Sequence, residues 1–107
     1  MKEERIQIKL LSVNQAWKGR RFKTPKYTKF ERDLGYLLPK LEVPKGKLRI
    51  LFVFYFKNSL SDIDNPLKMV LDIMQKKYNF NDKDIYKLEV EKRISENEGF
   101  EFNIYEL

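Results

Sequence analysis

The residues best placed to do chemistry lie in "SLSDIDNPLKMVLD", residues 59–72, where Asp62 and Asp64 precede a proline just after a strongly apolar run. Hard divalent cations such as Mg²⁺ bind carboxylate oxygens and complete their shell with water and substrate phosphate, so a carboxylate pair offers the first part of a metal site. The chain has no cysteine and no histidine. That removes disulfides, thiolate zinc sites, imidazole ligands and the commonest general base, so any site must be built from oxygens. Short carboxylates before helices also cap backbone N–H groups, and spacing alone leaves both readings of the pair open.

Lys68 falls in the first turn of the helix that should follow, where the macrodipole slightly disfavours a cation. From there it could reach a phosphate held by the metal and stabilise charge as the transition state forms. Asp72 shares its face four residues on, and an ordinary i,i+4 ion pair of about 0.3–0.5 kcal/mol accounts for it. Further along, "YNFNDKDIYKLEVEK" carries Asp82 and Asp84, which by themselves read as a solvated turn before a strand.

Elements must hold these residues in place. Pro66 suits the first position of a helix, with Asn65 as N-cap and Asp64 just outside. In an extended chain residues two apart point the same way, so Asp62 and Asp64 should project together beyond the end of a strand while Ile63 points to the core. That strand is "LRILFVFYF", apolar on both alternating faces and therefore expected at the centre of a sheet. The helix "PLKMVLDIMQKKY" should turn Leu67, Val70, Leu71, Met74 and Tyr78 inward. An earlier helix in "PKYTKFERDLGYLLPKL" should bury Tyr27, Phe30, Leu34, Leu37 and Leu38, with Thr24 as N-cap, Pro25 first, and Pro39 ending it. "RIQIKLL" alternates as a first strand, followed by a basic loop. "DIYKLEVEKRI" and "GFEFNIYEL" alternate about "SENEG", which predicts a hairpin whose turn closes at Gly99. The order is β-α-β-α-β-β: an α/β chain of α+β type, with a mixed sheet and two main helices.

Size and charge bound the rest. At 107 residues, with 42% hydrophobic and 14% aromatic content, residues 1–107 suit a single domain with one core. A core this small is marginal, so a dimer that buries more surface is a natural outcome. Lys and Arg outnumber Asp and Glu by 22 to 16 for a net +6, which suits an anionic partner without demonstrating one. The longest apolar run, residues 50–56, is too short for a bilayer, and "MKEERIQIK" lacks the apolar core of a secretory signal. A soluble, cytoplasmic protein with no membrane partner is expected.

"DIDNPLKMVLD", residues 62–72, followed by "NDKDI", residues 81–85, resembles the signature of RusA-type Holliday-junction resolvases: Asp-x-Asp-Asn with a Lys four after the second Asp, then a later acidic turn entering a strand. "SVNQAW", residues 12–17, is similar to that family's Asn-bearing N-terminal segment. The resemblance covers most of the chain in the expected order. It implies a homodimeric, Mg²⁺-dependent endodeoxyribonuclease, with Mn²⁺ as a substitute, that cuts four-way DNA junctions by paired nicks in recombination and repair. Asp62 and Asp64 match the family's metal-binding aspartates and Lys68 its functional lysine. Asp82, three before Ile85, matches the later metal-binding aspartate. Asn65 and Asp72 match supporting positions. The family turn usually begins with two adjacent aspartates, whereas here Asn81 precedes Asp82 and Asp84 follows Lys83, so Asp84 is the alternative third carboxylate.

In that reading the three carboxylates hold one or two ions that activate water for in-line attack on a phosphodiester. Substrate contacts would come from "WKGRRFKTPKYTK", which interleaves Trp17, Phe22 and Tyr27 with Lys18, Arg20, Arg21, Lys23, Lys26 and Lys29. A solvated basic loop with its aromatics anchored in the core is the competing reading. Asn14 either orients the site or makes a turn. A non-catalytic basic DNA-binding module would explain the charge but not three separated aspartates, since carboxylates repel phosphates unless a cation intervenes. A metal-dependent nuclease for other branched or flap DNA would share every residue named.

Overall fold

A computed structural model describes residues 4–18 and 22–107. The two-sided apolar run becomes strand β4, Leu48–Phe56. With β1 (Glu4–Gln7), β5 (Ile85–Ile94) and β6 (Gly99–Glu106) it forms a four-stranded sheet in the order β1-β6-β4-β5. Ile50, Phe52, Phe54 and Phe56 are buried on one face of β4, and Val53 and Tyr55 are buried on the other. Only an interior strand satisfies both rows. The pairing is mixed: β4 runs parallel to β5 and antiparallel to β6, and β1 runs antiparallel to β6.

The hairpin expected between the last two strands does not form. β5 and β6 straddle β4, and residues 95–98 cross its end, where Ser95 N–H donates to the Phe56 carbonyl at 2.8 Å. β4 thereby has a hydrogen-bonded partner along each of its edges, β5 on one and β6 on the other. Gly99 has a different task from closing a turn. It pairs with Gln7, and a Cβ there would collide with the Ile6 carbonyl oxygen.

Helix α1 (Val13–Ala16) and a two-stranded ribbon of β2 (Trp17–Lys18) and β3 (Phe22–Lys23) occupy the segment expected to be a plain basic loop. Helix α2, Pro25–Leu37, begins as its sequence predicts, with Thr24 Oγ1 accepting from Tyr27 N–H at 3.2 Å. It ends where Leu38 turns extended before Pro39, the conformation a following proline favours. Tyr27, Phe30, Leu34 and Leu38 are buried, whereas Leu37 is exposed.

Helix α3, Leu67–Tyr78, begins one residue later than expected, with Pro66 rather than Asn65 in the cap position. Its buried row is Met69, Val70, Ile73 and Met74, while Leu67, Leu71 and Tyr78 are half-buried. Asn79 closes it in the left-handed region at φ 56°, and Lys76 and Lys77 lie in the last turn, where cations complement the dipole. Lys77 also donates to the Gly35 carbonyl at 2.9 Å, tying α3 to α2. Both helices pack on the Phe52 face, where their apolar rows form one cluster with Phe54, Phe100 and Phe102. The other face carries a polar lattice. The Arg5 guanidinium lies 3.8 Å from the Tyr55 ring centroid, Arg49 Nε pairs with Glu89 at 2.7 Å, and the Tyr55 hydroxyl donates to Glu101 at 2.7 Å. Among the described residues no helix is long and apolar enough to cross a membrane.

Candidate active site

β4 delivers the chain to the end of the sheet, and residues 57–66 turn it back into α3. Asn65 N–H donates to the Asp62 carbonyl and Leu67 N–H to the Asp64 carbonyl, each at 3.1 Å. Two overlapping turns therefore replace the extended backbone expected here. Turn geometry does not alternate side chains between faces, so Ile63 is 40% exposed instead of entering the core. Asp62 and Asp64 are both exposed, and among the described residues neither has an ion-pair partner within 4 Å. Asn65 and Ser61 line a cleft of about 290 Å³ shared with Ser12, Gln15 and Glu98. The α1 segment thus lies beside the aspartate turn.

Lys68 is exposed in the first turn of α3. Among the described residues no ion pair joins it to Asp72. Asp72 instead shares a cavity with Trp17, Tyr27 and Gln75, whose rim carries Lys23 and Lys76. Burial, then the charges of Asp72 and Glu31, push the Tyr27 hydroxyl up to about 12. Burial also acts to raise the Glu31 carboxyl, but hydrogen bonds from Lys23 and Lys76, both at 3.0 Å, outweigh it and hold Glu31 below its ordinary value.

Asp82 and Asp84 form a single 3-10 turn, Asp82–Asp84, capped by Asn81, whose Oδ1 accepts from Lys83 N–H at 3.1 Å. Gln75 Oε1 accepts from Asp82 N–H at 2.9 Å, which fixes the turn beside the second half of α3. Leu67 to Gln75 alone spans about 12 Å of helix at 1.5 Å per residue. Among the described residues no three acidic side chains gather closely enough to hold one ion. One chain brings Asp62 and Asp64 into one turn and leaves Asp82 and Asp84 apart from them. Asp84 faces a separate cavity bounded by Val43, Lys45 and Phe80.

A family model described as endodeoxyribonuclease RusA matches residues 11–105. The chain belongs to this family. No curated protein matches it. As a RusA endonuclease it is a Holliday-junction nuclease of recombination, a hydrolase of phosphodiester bonds that binds branched DNA, and the family's nucleases depend on metal ions. The residues present suit such an ion. Two exposed carboxylates, unpaired among the described residues, supply the ligands Mg²⁺ commonly takes from a protein, which are one or two carboxylates beside water and substrate phosphate.

The basic residues of this RusA-family chain are dispersed. Lys18 is exposed on β2, and Lys26 is exposed on α2, beside Lys29 at a cavity of about 260 Å³. Lys23 is tied to Glu31 and lies 5.1 Å from the Tyr27 ring centroid. Arg20 and Arg21 lie outside the described residues. Asn14 falls within α1, and its side chain is likewise outside them. Of the interleaved aromatics, Tyr27 is a core residue at 2% exposure, Trp17 packs edge-on against it at 5.3 Å, and Phe22 is 72% exposed.

Sequence reasoning passed over Lys92. It stands on β5 in a row otherwise occupied by Tyr86, Leu88, Val90 and Ile94, and that interruption was the available signal. Its Nζ donates to the Ser59 carbonyl at 2.9 Å and to the Ser61 carbonyl, directly before Asp62.

Proposed function

We propose that this endonuclease resolves four-way DNA junctions by paired, symmetric nicks in the presence of Mg²⁺, with Asp62 and Asp64 as the metal-binding centre. The observation that carries the reading is the pair itself: two exposed carboxylates, unpaired among the described residues, in one turn at the N-terminal end of α3, within a chain whose family cuts such junctions. When bound, the ion supplies Lewis-acid stabilisation of the phosphoryl group and lowers the pKa of an attacking water. Lys68, one turn on and free of Asp72, contacts the same phosphate and offsets charge that builds on its oxygens. Asn65 and Gln15 face the cleft beside the turn and orient the backbone of the bound strand. Lys18, Arg20, Arg21, Lys23 and Lys26 hold the arms through phosphates, so binding follows junction shape and weakens steeply with salt. The cytoplasm or nucleoid, where branched DNA arises, is its place of action.

The third carboxylate enters through a second copy. β5 is an edge strand, and Tyr86, Leu88 and Ile94 on it are exposed apolar residues. An unpaired apolar edge is suited to strand addition. Antiparallel pairing of two β5 edges about a twofold axis would set the start of one beside the end of the other. The partner's Asp82 would then approach Asp62 and Asp64, with the partner's Asp84 as its substitute, and the dimer would carry two sites for two strands. The test compares an end-labelled four-way junction with a flap and a linear duplex. Cutting confined to the junction supports the reading, and equal cutting of every branched substrate replaces it with a general structure-specific nuclease.

A further inference from the structure

Exposing a leucine side chain to water is unfavourable, yet Leu60 is 89% exposed. Its backbone holds it there. Leu60 N–H donates to Asn58 Oδ1 at 2.9 Å, and the carbonyls on either side, Ser59 and Ser61, both accept from Lys92 Nζ. Lys92 is anchored in turn by its strand, beside Phe54 in the β4–β5 register, and its ammonium lies 5.6 Å from the Phe56 ring centroid. A lone exposed leucine is ordinary on a protein surface. A leucine whose two flanking carbonyls are clamped by one ammonium is not, because a loosely held loop would let it fold back toward the apolar layer around Phe56. Charge-assisted bonds of this kind are about twice as strong as neutral ones, and here they fix a side chain outward two residues before Asp62.

We infer that Leu60 is an apolar wedge that enters the base stack at the branch point of the junction, and that Lys92 is the positioning residue that aims it. The inference rests on the reading of the Asp62 turn as the cutting centre. Apolar side chains inserted between base steps unstack and kink DNA, and the cost is least where stacking is already interrupted, as it is where four arms meet. An insertion at Leu60 brings the adjoining phosphate to the neighbouring turn, where the carboxylates lie. Lys57, exposed at the start of the same loop, is placed to meet a flanking phosphate.

The test uses the full chain in EDTA, so that nothing is cut, and a four-way junction carrying 2-aminopurine at the branch point. Binding is read by anisotropy and unstacking by emission. Wild type should bind and raise the emission. Leu60→Gln should bind about tenfold more weakly, equivalent to about 1.4 kcal/mol, and leave the emission near that of the free junction. Leu60→Met should retain both. Lys92→Met, which keeps the apolar stem, should lower the emission and speed amide exchange across residues 58–62. Undiminished emission with Leu60→Gln overturns the wedge. Loss of oligomer mass in that variant also overturns it, by assigning Leu60 to a protein contact. A junction left unbound by wild type overturns the junction reading itself, a result distinct from a bound junction whose emission ignores Leu60.

Discussion

Lys68 is the residue at which the proposed centre is most simply probed. An ion pair with Asp72 would have made it an ordinary surface lysine, but Asp72 lines the Tyr27 cavity and, among the described residues, no ion pair joins the two. Lys68→Met should therefore lower the cutting rate by about 10²-fold, the scale of losing one preorganised charge-stabilising group. Its unfolding free energy should stay within about 0.5 kcal/mol of wild type, as for an exposed substitution. Single-turnover cleavage and urea unfolding check the two halves. Tyr27 belongs to stability. Its hydroxyl is raised from the usual value near 10 to about 12, so the folded state holds the proton more tightly. That contribution is complete below about pH 10 and is lost as pH rises toward 12. Over that window wild type should lose on the order of 2 kcal/mol that Tyr27→Phe does not, measured by urea unfolding across the range. At this scale residue type and spacing singled out Asp62, Asp64 and Lys68 as candidates. Lys92 showed only as a break in an apolar row, because its contact with Ser59 and Ser61 exists only once β5 lies parallel to β4.

Elements with a local cause were legible, and those with a tertiary cause were not. The start of α2 rests on Thr24 and Pro25, neighbours that act on their own turn, and Thr24→Ala should cost about 1 kcal/mol by urea unfolding. β4 was legible because it is apolar in both alternating rows. The partner choice of β5 and β6 was hidden: two alternating strands joined by "SENEG" present the same local pattern whether they pair with each other or straddle a third. What settles the pairing is that β4 takes one of them along each edge, and β4 is another segment of the chain. The same contrast explains Ile63, whose alternation promised the core but whose backbone is a turn. Gly99→Ala gives a direct check of the straddled arrangement. It should destabilise the protein by about 1–3 kcal/mol through collision with β1, whereas an exposed hairpin turn would tolerate the methyl group.

At the scale of the whole molecule, one chain separates the carboxylates that the family pattern groups together, and a dimer across β5 would reunite them. Leu88→Asp should halve the solution mass and abolish paired nicks, as read by light scattering and by cleavage. A mixture of Asp64→Asn and Asp82→Asn should recover activity that neither variant has alone. Each mixed dimer would regain one intact site and make single nicks, whereas sites complete within one chain would stay dead. Every role proposed for the site requires that DNA is cut at the Asp62 turn. The most direct measurement is cleavage of an end-labelled four-way junction by wild type and Asp64→Asn, each with Mg²⁺ and with EDTA. Paired nicks from wild type with Mg²⁺ alone, and none from Asp64→Asn, are the predicted result. Equal cutting by Asp64→Asn, or cutting by wild type in EDTA, would contradict it.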